Sequence, residues 1–366
     1  MPKTILQNGR KIRVLVVDDS VVIRRLVTQA LSEDPELEVV GSAPNGKIAL
    51  QRIPQLNPDV LTLDVEMPEM DGLQTLRALR PNYPHLVVIM FSTLTQRGAS
   101  STIEALSYGA SDYVTKAANV GSLDRSLQSL RSELVPKIKQ FFHRPGGDRP
   151  SSAQGVASAR SGPITLSRAS RLARGPRRLI AIGVSTGGPT ALAEVFPGFP
   201  QNLDVPIVIV QHMPPMFTRL LAERLQQISR LKVREAEPGM PLEPGVAVIA
   251  PGDYHLTLRR DGTQVLCALN QGPPENSCRP AVDVLFRSVA DLYGGSVVAV
   301  ILTGMGQDGL RGVETLKAAG AYVLAQDEPS SVVWGMPGAV ARAGLADTVA
   351  PLAQIAPEIL RRLKGE

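Results

Sequence analysis

Short apolar segments alternate with amphipathic ones along most of this chain, and this alternation limits the folds that it can adopt. Between residue 11 and about residue 120, five apolar runs have the length and branched composition of buried strands, with helical spacing of apolar residues between them. Such alternation is typical of a doubly wound parallel sheet. The expected strands are Lys11–Val17, Leu37–Ser42, Val60–Leu63, Leu86–Phe91 and Asp112–Val114, and the expected helices are Ser20–Leu31, Gly46–Leu56, Leu73–Leu79 and Ser101–Ser107.

The alternation resumes after a segment rich in Ser, Gly and Pro. The second set of expected strands is Leu179–Val184, Val205–Val210, Ser296–Leu302 and Ala321–Ala325, with a hairpin-like region at Val246–Ala250 and Val265–Leu269. We therefore expect an α/β protein with two doubly wound parallel-sheet domains, at residues 1–122 and 178–366. A helical and then low-complexity linker is expected at residues 123–177.

The net surplus of positive charge lies between the two expected sheets. The formal net charge is +5, and the segment from Leu123 to Arg178 alone holds twelve Lys and Arg against three Asp and Glu. A solvated basic linker accounts for this surplus, and the half that follows offers neither a helix-turn-helix nor a basic recognition face. We therefore expect no nucleic-acid partner.

Apolar runs and cysteines point to a cytoplasmic protein without membrane insertion. The longest apolar runs, such as Val297–Leu302, are too short to cross a bilayer. The start at Met1–Arg13 has no apolar core of the kind found in secretory signals. Cys267 and Cys278 lack the CxxC spacing of zinc sites and fit a reducing compartment.

Polar side chains converge at the carboxyl ends of the first set of strands. Asp18, Asp19 and Asp64 end the first and third strands, which are neighbours in a 2-1-3-4-5 strand order. Clustered carboxylates repel one another unless a hard cation lies among them, and oxygen ligands suit Mg²⁺. Ser92 and Lys116 end the fourth and fifth strands, so they add a hydroxyl and an ammonium group to the same pocket.

The motifs V-L-V-V-D-D-S, L-T-L-D-V-E-M-P-E-M-D-G and D-Y-V-T-K resemble the flavodoxin-like receiver domain of bacterial response regulators. This resemblance implies a sensor histidine kinase as phosphodonor and Mg²⁺ as the cofactor of phosphorylation. The implied roles are phospho-acceptor for Asp64, metal ligands for Asp18, Asp19, Asp64 and the Glu66 carbonyl, switch hydroxyl for Ser92 and phosphoryl partner for Lys116.

One position departs from that family's pattern. Ala117 stands where the family usually has Pro after the lysine. A cis bond to Ala costs about 2.5–4 kcal/mol, so we expect a trans bond there and a different placement of Lys116.

The segment Leu179–Gly188, with the sequence L-I-A-I-G-V-S-T-G-G, combines a buried strand with a sharp turn. Its glycines leave backbone N–H groups free next to a helix N-terminus, at the sheet edge where α/β proteins bind ligands. Two interpretations stay open on this segment alone. It is a phosphate-binding turn in which Ser185 caps a helix, or Ser185 is a nucleophile.

Two further polar residues favour the nucleophile. Ser185, His212 and Asp308 each follow the carboxyl end of an expected strand, as a nucleophile, a base and its orienting carboxylate require. Taken singly, His212 and Asp308 are ordinary turn or cap residues. His255 competes as the base and Cys278 as the nucleophile, but neither follows a parallel strand. Candidate donors to an oxyanion are the amides of Thr186 and of residues 304–306.

The motifs G-V-S-T-G-G, Q-H-M-P, A-P-G-D-Y-H, R-P-A-V-D-V-L-F, L-T-G-M-G-Q-D-G and A-Q-D-E-P-S-S-V-V-W-G-M-P resemble the Rossmann-like catalytic domain of the CheB family of chemotaxis protein-glutamate methylesterases. The resemblance implies Ser185 as nucleophile, His212 as base, Asp308 as its partner and Met305 as an oxyanion donor. Where that family often has His-Arg-Pro-Ser, this chain has Cys278, Arg279, Pro280 and Ala281.

The two resemblances together imply a phosphorylation-activated hydrolase. Its substrates are glutamate methyl esters on chemoreceptors, glutamine deamidation is a second expected activity, and hydrolysis needs no cofactor. The resemblance also favours a first domain that covers the active site over one that recruits the substrate. The alternatives are a phosphorylation-switched binding module, such as a transcription factor, and a catalytically inactive scaffold.

Overall fold

The chain forms two parallel sheets with helices on both faces, in a computed structural model that describes residues 10–93, 95–116, 123–142 and 176–365. The first sheet has the strand order β2-β1-β3-β4-β5, as the sequence predicts. Its strands are β1 (Ile12–Val17), β2 (Leu37–Ala43), β3 (Val60–Asp64), β4 (Val87–Ser92) and β5 (Asp112–Thr115). The accompanying helices are α1 (Val21–Ser32), α2 (Gly46–Leu56), α3 (Gly72–Leu79), α4 (Gln96–Ser107) and α5 (Leu123–Lys139).

Helix α4 begins five residues earlier than the predicted Ser101. Thr95 caps it, because its hydroxyl accepts a hydrogen bond from the Gly98 amide at 3.1 Å. The first turn, Gln96–Ser100, carries small and polar residues that give no apolar periodicity. A prediction based on periodicity therefore misses this turn, whereas the cap fixes it.

Helix α5, the helical part of the linker expected from residue 123, packs against the first unit. Leu134 and Ile138 are fully buried in the same apolar cluster as Val27 and Leu31 of α1. A helix with this much buried surface belongs to the core that it covers. Of the expected linker at 123–177, residues 143–175 lie outside the described residues.

The second sheet has seven parallel strands in the order β14-β13-β12-β6-β7-β9-β8. Its strands are β6 (Leu179–Val184), β7 (Ile207–Gln211), β8 (Lys232–Glu235), β9 (Val246–Ile249), β12 (Val297–Ile301), β13 (Tyr322–Gln326) and β14 (Thr348–Ala350). Strands β10 (His255–Asp261) and β11 (Gln264–Asn270) form an antiparallel hairpin. Val246–Ala250, expected in the hairpin-like region, instead contributes β9, a buried strand that pairs in parallel with β7 and β8. The helices are α6 (Gly188–Val195), α7 (Phe217–Ile228), α8 (Val282–Tyr293), α9 (Leu310–Ala318), α10 (Met336–Arg342) and α11 (Leu352–Leu363).

Two apolar layers enclose the second sheet. Every residue of β6, β7 and β12 is buried, as expected for central strands of a parallel sheet. Helices α6, α7 and α11 contribute to one apolar cluster, and α8, α9 and α10 contribute to the other. In the described part of the chain, no helix is long and apolar enough to cross a membrane.

The first unit contacts the second through α4 and β5. Tyr113 stacks on Phe217 with ring centroids 4.9 Å apart and planes 9° apart. The Thr190 hydroxyl donates to the Leu106 carbonyl at 3.0 Å. Leu106 and Tyr113 belong to the same buried apolar cluster as Phe217, so apolar packing continues from one unit into the other.

Candidate active site

Ser185 lies in a tight turn between β6 and α6. Its amide donates to the Thr303 carbonyl at 3.0 Å, and its own carbonyl accepts from the Gly188 amide at 2.8 Å. Gly187 has a φ of 78° at the cap position of α6, a conformation that glycine adopts without the cost of a Cβ. The turn therefore places a half-buried serine at the carboxyl end of a central strand.

His212 and Asp308 form a hydrogen-bonded pair at the same sheet edge. His212 follows β7, and its amide donates to the Val184 carbonyl at 3.2 Å, which ties it to the strand that precedes Ser185. Its Nε2 lies 2.8 Å from Oδ2 of Asp308, in the loop between β12 and α9. The structure thus brings together two of the three residues expected to act as nucleophile, base and carboxylate.

Asp308 is held by donors in addition to His212. The amides of Val282 and Asp283 donate to its two oxygens at 2.7 and 3.0 Å, so the carboxylate lies at the N-terminus of α8. The Gly309 amide donates at 2.9 Å and the Asn276 side chain at 2.8 Å. Burial disfavours the charged form of Asp308, but the hydrogen bond from His212 and those from the amides outweigh it and lower its pKa. The carboxylate is therefore fixed and charged.

The second nitrogen of His212 faces Cys278. The Cys278 Sγ lies 3.5 Å from Nδ1 of His212. Burial disfavours the imidazolium, but the hydrogen bond to Asp308 and the contact with Cys278 outweigh it and raise the pKa of His212. Cys278, which the sequence places on no strand-end turn, thus lies directly against the candidate base.

Ser185 and His212 line one open cavity of about 860 Å³, together with Met305 and Cys278. Among the described residues, the Ser185 hydroxyl has no hydrogen-bond partner, and the imidazole is turned towards Asp308 and Cys278. The structure therefore places Ser185 beside the pair without a hydrogen bond to it. Catalytic hydrogen bonds are often absent without substrate and form only in the complex.

The expected oxyanion donors lie around Ser185. Within the described ranges, no acceptor pairs with the backbone amides of Thr186 and Met305. A Cβ on Gly304 would come within 2.8 Å of the Ser185 Cβ, so only glycine lets the loop after β12 approach the serine this closely. The Thr186 hydroxyl is engaged elsewhere, because it donates to Oδ2 of Asp112 in the first unit at 3.1 Å.

His255 does not compete for the role of base. It is 2% exposed, and its Nδ1 accepts from the Ala281 amide at 3.2 Å. Its Nε2 lies 3.0 Å from the Pro273 carbonyl. Both nitrogens therefore have structural partners on the loop between β11 and α8.

Two residues that sequence reasoning did not single out contact the site. Gln211, 2% exposed, donates from Nε2 to the Ser185 carbonyl at 3.0 Å and to the His212 carbonyl at 3.3 Å, so it links the two turns. Asn276 donates to Asp308. Gln211 could have been identified from its position just before His212. Asn276 lies in a polar loop segment without periodicity, so the sequence gives no sign of its role.

The acidic cluster of the first unit forms as expected. One oxygen from each of Asp18, Asp19 and Asp64 lies within 4.8 Å of the others. The Lys116 Nζ lies 2.8 Å from Oδ2 of Asp18 and 2.7 Å from Oδ2 of Asp64. Burial raises the pKa of Asp64 to about 6, with the Lys116 ammonium opposing this rise and Asp18 adding to it. Three converging carboxylates with oxygen donors only fit a hard divalent cation such as Mg²⁺.

The remaining expected residues of this pocket lie next to it. Ser92 is the last residue of β4, and its carbonyl accepts from the Lys116 amide at 2.6 Å, while its hydroxyl donates to the Thr93 carbonyl at 3.2 Å. The Glu66 amide lies 3.4 Å from Oδ1 of Asp64. The expected displacement of Lys116 is not seen, because its ammonium reaches both Asp18 and Asp64. The expected trans bond to Ala117 lies outside the described residues.

Comparisons with known proteins agree for both units. The family model for the CheB methylesterase matches residues 180–359, and that for the response regulator receiver domain matches residues 14–128. A protein-glutamate methylesterase/protein-glutamine glutaminase of Trichodesmium erythraeum is 52% identical over 96% of this chain and 99% of its own length. One of a Nocardioides species is 54% identical over 96% of this chain and 95% of its own.

A solved structure matches the second unit alone. The crystal structure of the Thermotoga maritima CheB methylesterase catalytic domain is 44% identical, covers 50% of this chain and 98% of that domain, and has a TM-score of 0.50. The matches of the full-length relatives extend over both sheets and the segment between them. The chain therefore belongs to the CheB methylesterase family, with a receiver domain ahead of the catalytic unit.

Proposed function

We propose that this chain hydrolyses glutamate methyl esters on chemoreceptors and deamidates receptor glutamines, under the control of phosphorylation of its receiver domain. The observation that carries the proposal is the His212–Asp308 hydrogen bond of 2.8 Å in the cavity that Ser185 lines. A base with an orienting carboxylate beside a hydroxyl at one sheet edge is the arrangement required for acyl transfer.

Hydrolysis proceeds in two acyl-transfer steps. The imidazole of His212 turns towards Ser185 and takes its proton, and the hydroxyl oxygen attacks the side-chain carbonyl of the methylated glutamate. The protonated imidazole then gives its proton to the leaving methoxide, and methanol departs. Water, deprotonated by the same imidazole, then attacks the carbonyl of the glutamyl-serine ester. The imidazolium returns the proton to the departing Ser185 oxygen, which frees the glutamate. Asp308 stabilises the charged imidazole in each step.

The negative charge on the carbonyl oxygen needs donors that are already in place. The Thr186 and Met305 amides, which lie on the two turns that meet at Ser185, are suited to this role because no other acceptor in the described structure holds them. A glutamine side chain presents the same carbonyl with ammonia as the leaving group. The same residues therefore serve deamidation.

The receiver domain is proposed to accept a phosphoryl group on Asp64 from a sensor histidine kinase. Asp18, Asp19, Asp64 and the Glu66 carbonyl would hold Mg²⁺, which when bound offsets the charge that gathers on the transferring group. Lys116, already within hydrogen-bond distance of Asp64, would pair with the phosphoryl oxygens, and Ser92 would respond from the end of β4.

We further propose that the unphosphorylated receiver domain restricts access to the catalytic cavity. Tyr113 and Lys137 of the receiver domain line the same cavity as Ser185. The Asp112 carboxylate accepts from the hydroxyl of Thr186, the residue after the nucleophile. A receiver domain that only recruited the substrate would have no need for these contacts.

A methanol-release assay tests the hydrolase against the rival binding module. We expect methylated receptor membranes to release methanol with the wild type, and Ser185→Ala to lower the rate by roughly 10⁴- to 10⁶-fold, because nucleophile and base act as a unit. Ser229→Ala, a serine at the end of α7 that only caps a local turn, is the matched control and should keep the rate. Release by Ser185→Ala at the wild-type rate would refute the assignment, and no release by any variant would favour a binding module.

A further inference from the structure

A strained turn contacts both His212, the candidate base, and Asp308, its carboxylate partner. Glu275 and Cys278 exchange two backbone hydrogen bonds, of 3.1 and 2.9 Å, so Asn276 and Ser277 are the central residues of a tight turn. Their φ angles are 52° and 62°. Two positive φ values define a type I′ turn, a conformation that glycine or asparagine adopts most easily and that serine adopts at a cost. Strain of this kind is often retained where it serves a site.

The turn is anchored to the helix that holds Asp308. Glu275 pairs with Arg287 of α8 through two hydrogen bonds, of 2.8 and 2.5 Å. The N-terminus of the same helix provides the Val282 and Asp283 amides that bind Asp308. The turn and the carboxylate thus share one rigid support.

Asn276 joins two buried carboxylates. Its Nδ2 donates to Oδ1 of Asp308 at 2.8 Å and to Oδ2 of Asp283 at 3.0 Å. Asp308 and Asp283 are 2% and 1% exposed, so their mutual repulsion is weakly screened. A neutral donor between them fixes the Asp308 carboxylate in the orientation that faces His212.

Cys278 contacts the opposite side of the base. Its Sγ lies 3.5 Å from Nδ1 of His212, whose Nε2 faces Asp308. A thiol is a weak hydrogen-bonding group. Cys278 therefore orients the imidazole ring, and the loss of its contact with Nδ1 costs little when the ring turns to Ser185. The two residues that flank Ser277 in the turn therefore contact the pair from both sides, Asn276 at Asp308 and Cys278 at His212.

We propose that the Glu275–Cys278 turn positions the catalytic base, with Asn276 orienting Asp308 and Cys278 orienting the imidazole of His212. The inference rests on the proposed function of His212 as the base. Asn276 and Cys278 are positioning residues, because they act on the substrate only through the pair.

The test compares three single variants by steady-state methanol release from methylated receptor membranes. Asn276→Ala is expected to lower kcat by about 10- to 100-fold, the effect of losing a hydrogen bond to a charged group, with KM unchanged within twofold. Cys278→Ala is expected to lower kcat by less than tenfold, again with KM unchanged. Ser229→Ala, at the end of α7 and outside the turn and the cavity, is the control and should keep the wild-type kcat.

The pH profile of kcat/KM distinguishes positioning from loss of structure. Asn276→Ala should move the acid limb to higher pH, because a carboxylate with one donor fewer holds the His212 proton more strongly. Cys278→Ala should move it to lower pH, because the sulfur favours the charged ring. The ionisable groups around the pair are Cys278 against His212, and Asp283, Glu275 and Arg287 behind Asp308.

Wild-type kcat and an unmoved acid limb in both Asn276→Ala and Cys278→Ala would overturn the inference, as would an equal loss in Ser229→Ala. If Asn276→Ala does not fold, Cys278→Ala alone decides by the same two readouts. Ser185→Ala is measured in parallel. If it retains methanol release, the proposed function fails, whereas an inactive Ser185→Ala beside unaffected turn variants refutes only the role of the turn.

Discussion

Asp308 is the residue on which the electrostatics of the catalytic cavity depend. Five donors surround its two oxygens, and among them only His212 and Asn276 are side chains. Its lowered pKa means that its stabilisation of the fold is present above the ordinary carboxyl pKa and is lost as pH falls through the lowered value. The carboxylate is therefore charged at neutral pH.

Replacement of this carboxylate by an amide should impair catalysis without unfolding the protein. For Asp308→Asn we expect kcat to fall by roughly 10²- to 10⁴-fold, less than for Ser185→Ala, because the nucleophile stays while the imidazolium loses its counter-charge. Methanol release measures the rate, and circular dichroism checks the fold. A variant with wild-type kcat would show that Asp308 plays no part in orienting the base.

His212 provides a pH dependence with a defined sign. Its pKa is raised above 6.5, so the ion pair with Asp308 stabilises the fold below pH 6.5, and this contribution is lost as pH rises through the raised value. Catalysis needs the neutral ring, so kcat/KM should increase with pH, with a midpoint above 6.5. In Asp308→Asn that midpoint should move to lower pH. An identical midpoint in the wild type and in Asp308→Asn would mean that this pH dependence of kcat/KM comes from a group other than His212.

Asp64 is expected to be the sole site of phosphorylation-dependent control. A small-molecule phosphodonor with Mg²⁺ should accelerate methanol release by the wild type. The rate of Asp64→Ala should be the same with and without the donor. The physical reason is that Asp64 lies in the acidic cluster, where Asp18 and Asp19 can share a bound cation with it and the Lys116 ammonium is 2.7 Å from its Oδ2. Activation that persists in Asp64→Ala would move the acceptor to another residue.

At the scale of elements, the sequence predicts those that periodicity and strand-end chemistry mark, and misses those fixed by tertiary packing. The central strands β6 and β12 are predicted closely because they are apolar throughout. Strand β8 is missed because it is a short edge strand with charged residues, three of its four residues being Lys, Arg and Glu.

The sequence likewise predicts the strand-end residues of the candidate site and misses those on its loops. The sequence places Ser185, His212 and Asp308 at one sheet edge because each follows a parallel strand, and their catalytic roles stay predictions. Asn276 and the contact of Cys278 with His212 depend on a loop whose path follows from two positive φ angles and a salt bridge to α8. Neither leaves a periodic signal in the sequence.

The contact between β5 and the turn after β6 offers a test of whether the receiver domain restricts access to the cavity. Asp112 accepts from Thr186 of the catalytic unit, so Asp112→Ala removes a hydrogen bond that the proposed closed arrangement contains. It also removes the bonds that Asp112 accepts within the receiver domain from the Tyr113 amide and the Gln140 side chain. We expect unphosphorylated Asp112→Ala to release methanol about 2- to 10-fold faster than the wild type, as the loss of one such bond implies. Asp261→Ala, at the exposed tip of the β10–β11 hairpin, controls for the change in charge. An unchanged or lower rate in Asp112→Ala, in a protein shown to be folded, would mean that this bond does not restrain the cavity.

At the scale of the molecule, the arrangement of the two units determines how much activity the proposed phosphorylation of Asp64 can release. The apolar cluster that includes Phe217 runs through α4 and β5, so opening the molecule exposes apolar surface and costs free energy. Phosphorylation at Asp64 acts only through a difference in free energy between the closed and open states. A change from 1:99 to 99:1 needs about 5.5 kcal/mol, so we expect partial activation by a single phosphoryl group.

Removal of the receiver domain should therefore activate the enzyme more completely than phosphorylation does. The fragment 176–366 contains all seven strands of the second sheet and the helices of both its layers, so its core is complete. We expect it to be soluble, to release methanol faster than the unphosphorylated full-length chain on the same receptor membranes, and to ignore the phosphodonor. If the folded fragment is no faster than the full-length protein, the receiver domain does not restrict the cavity, and recruitment of the substrate becomes the better account of the contact between the two units.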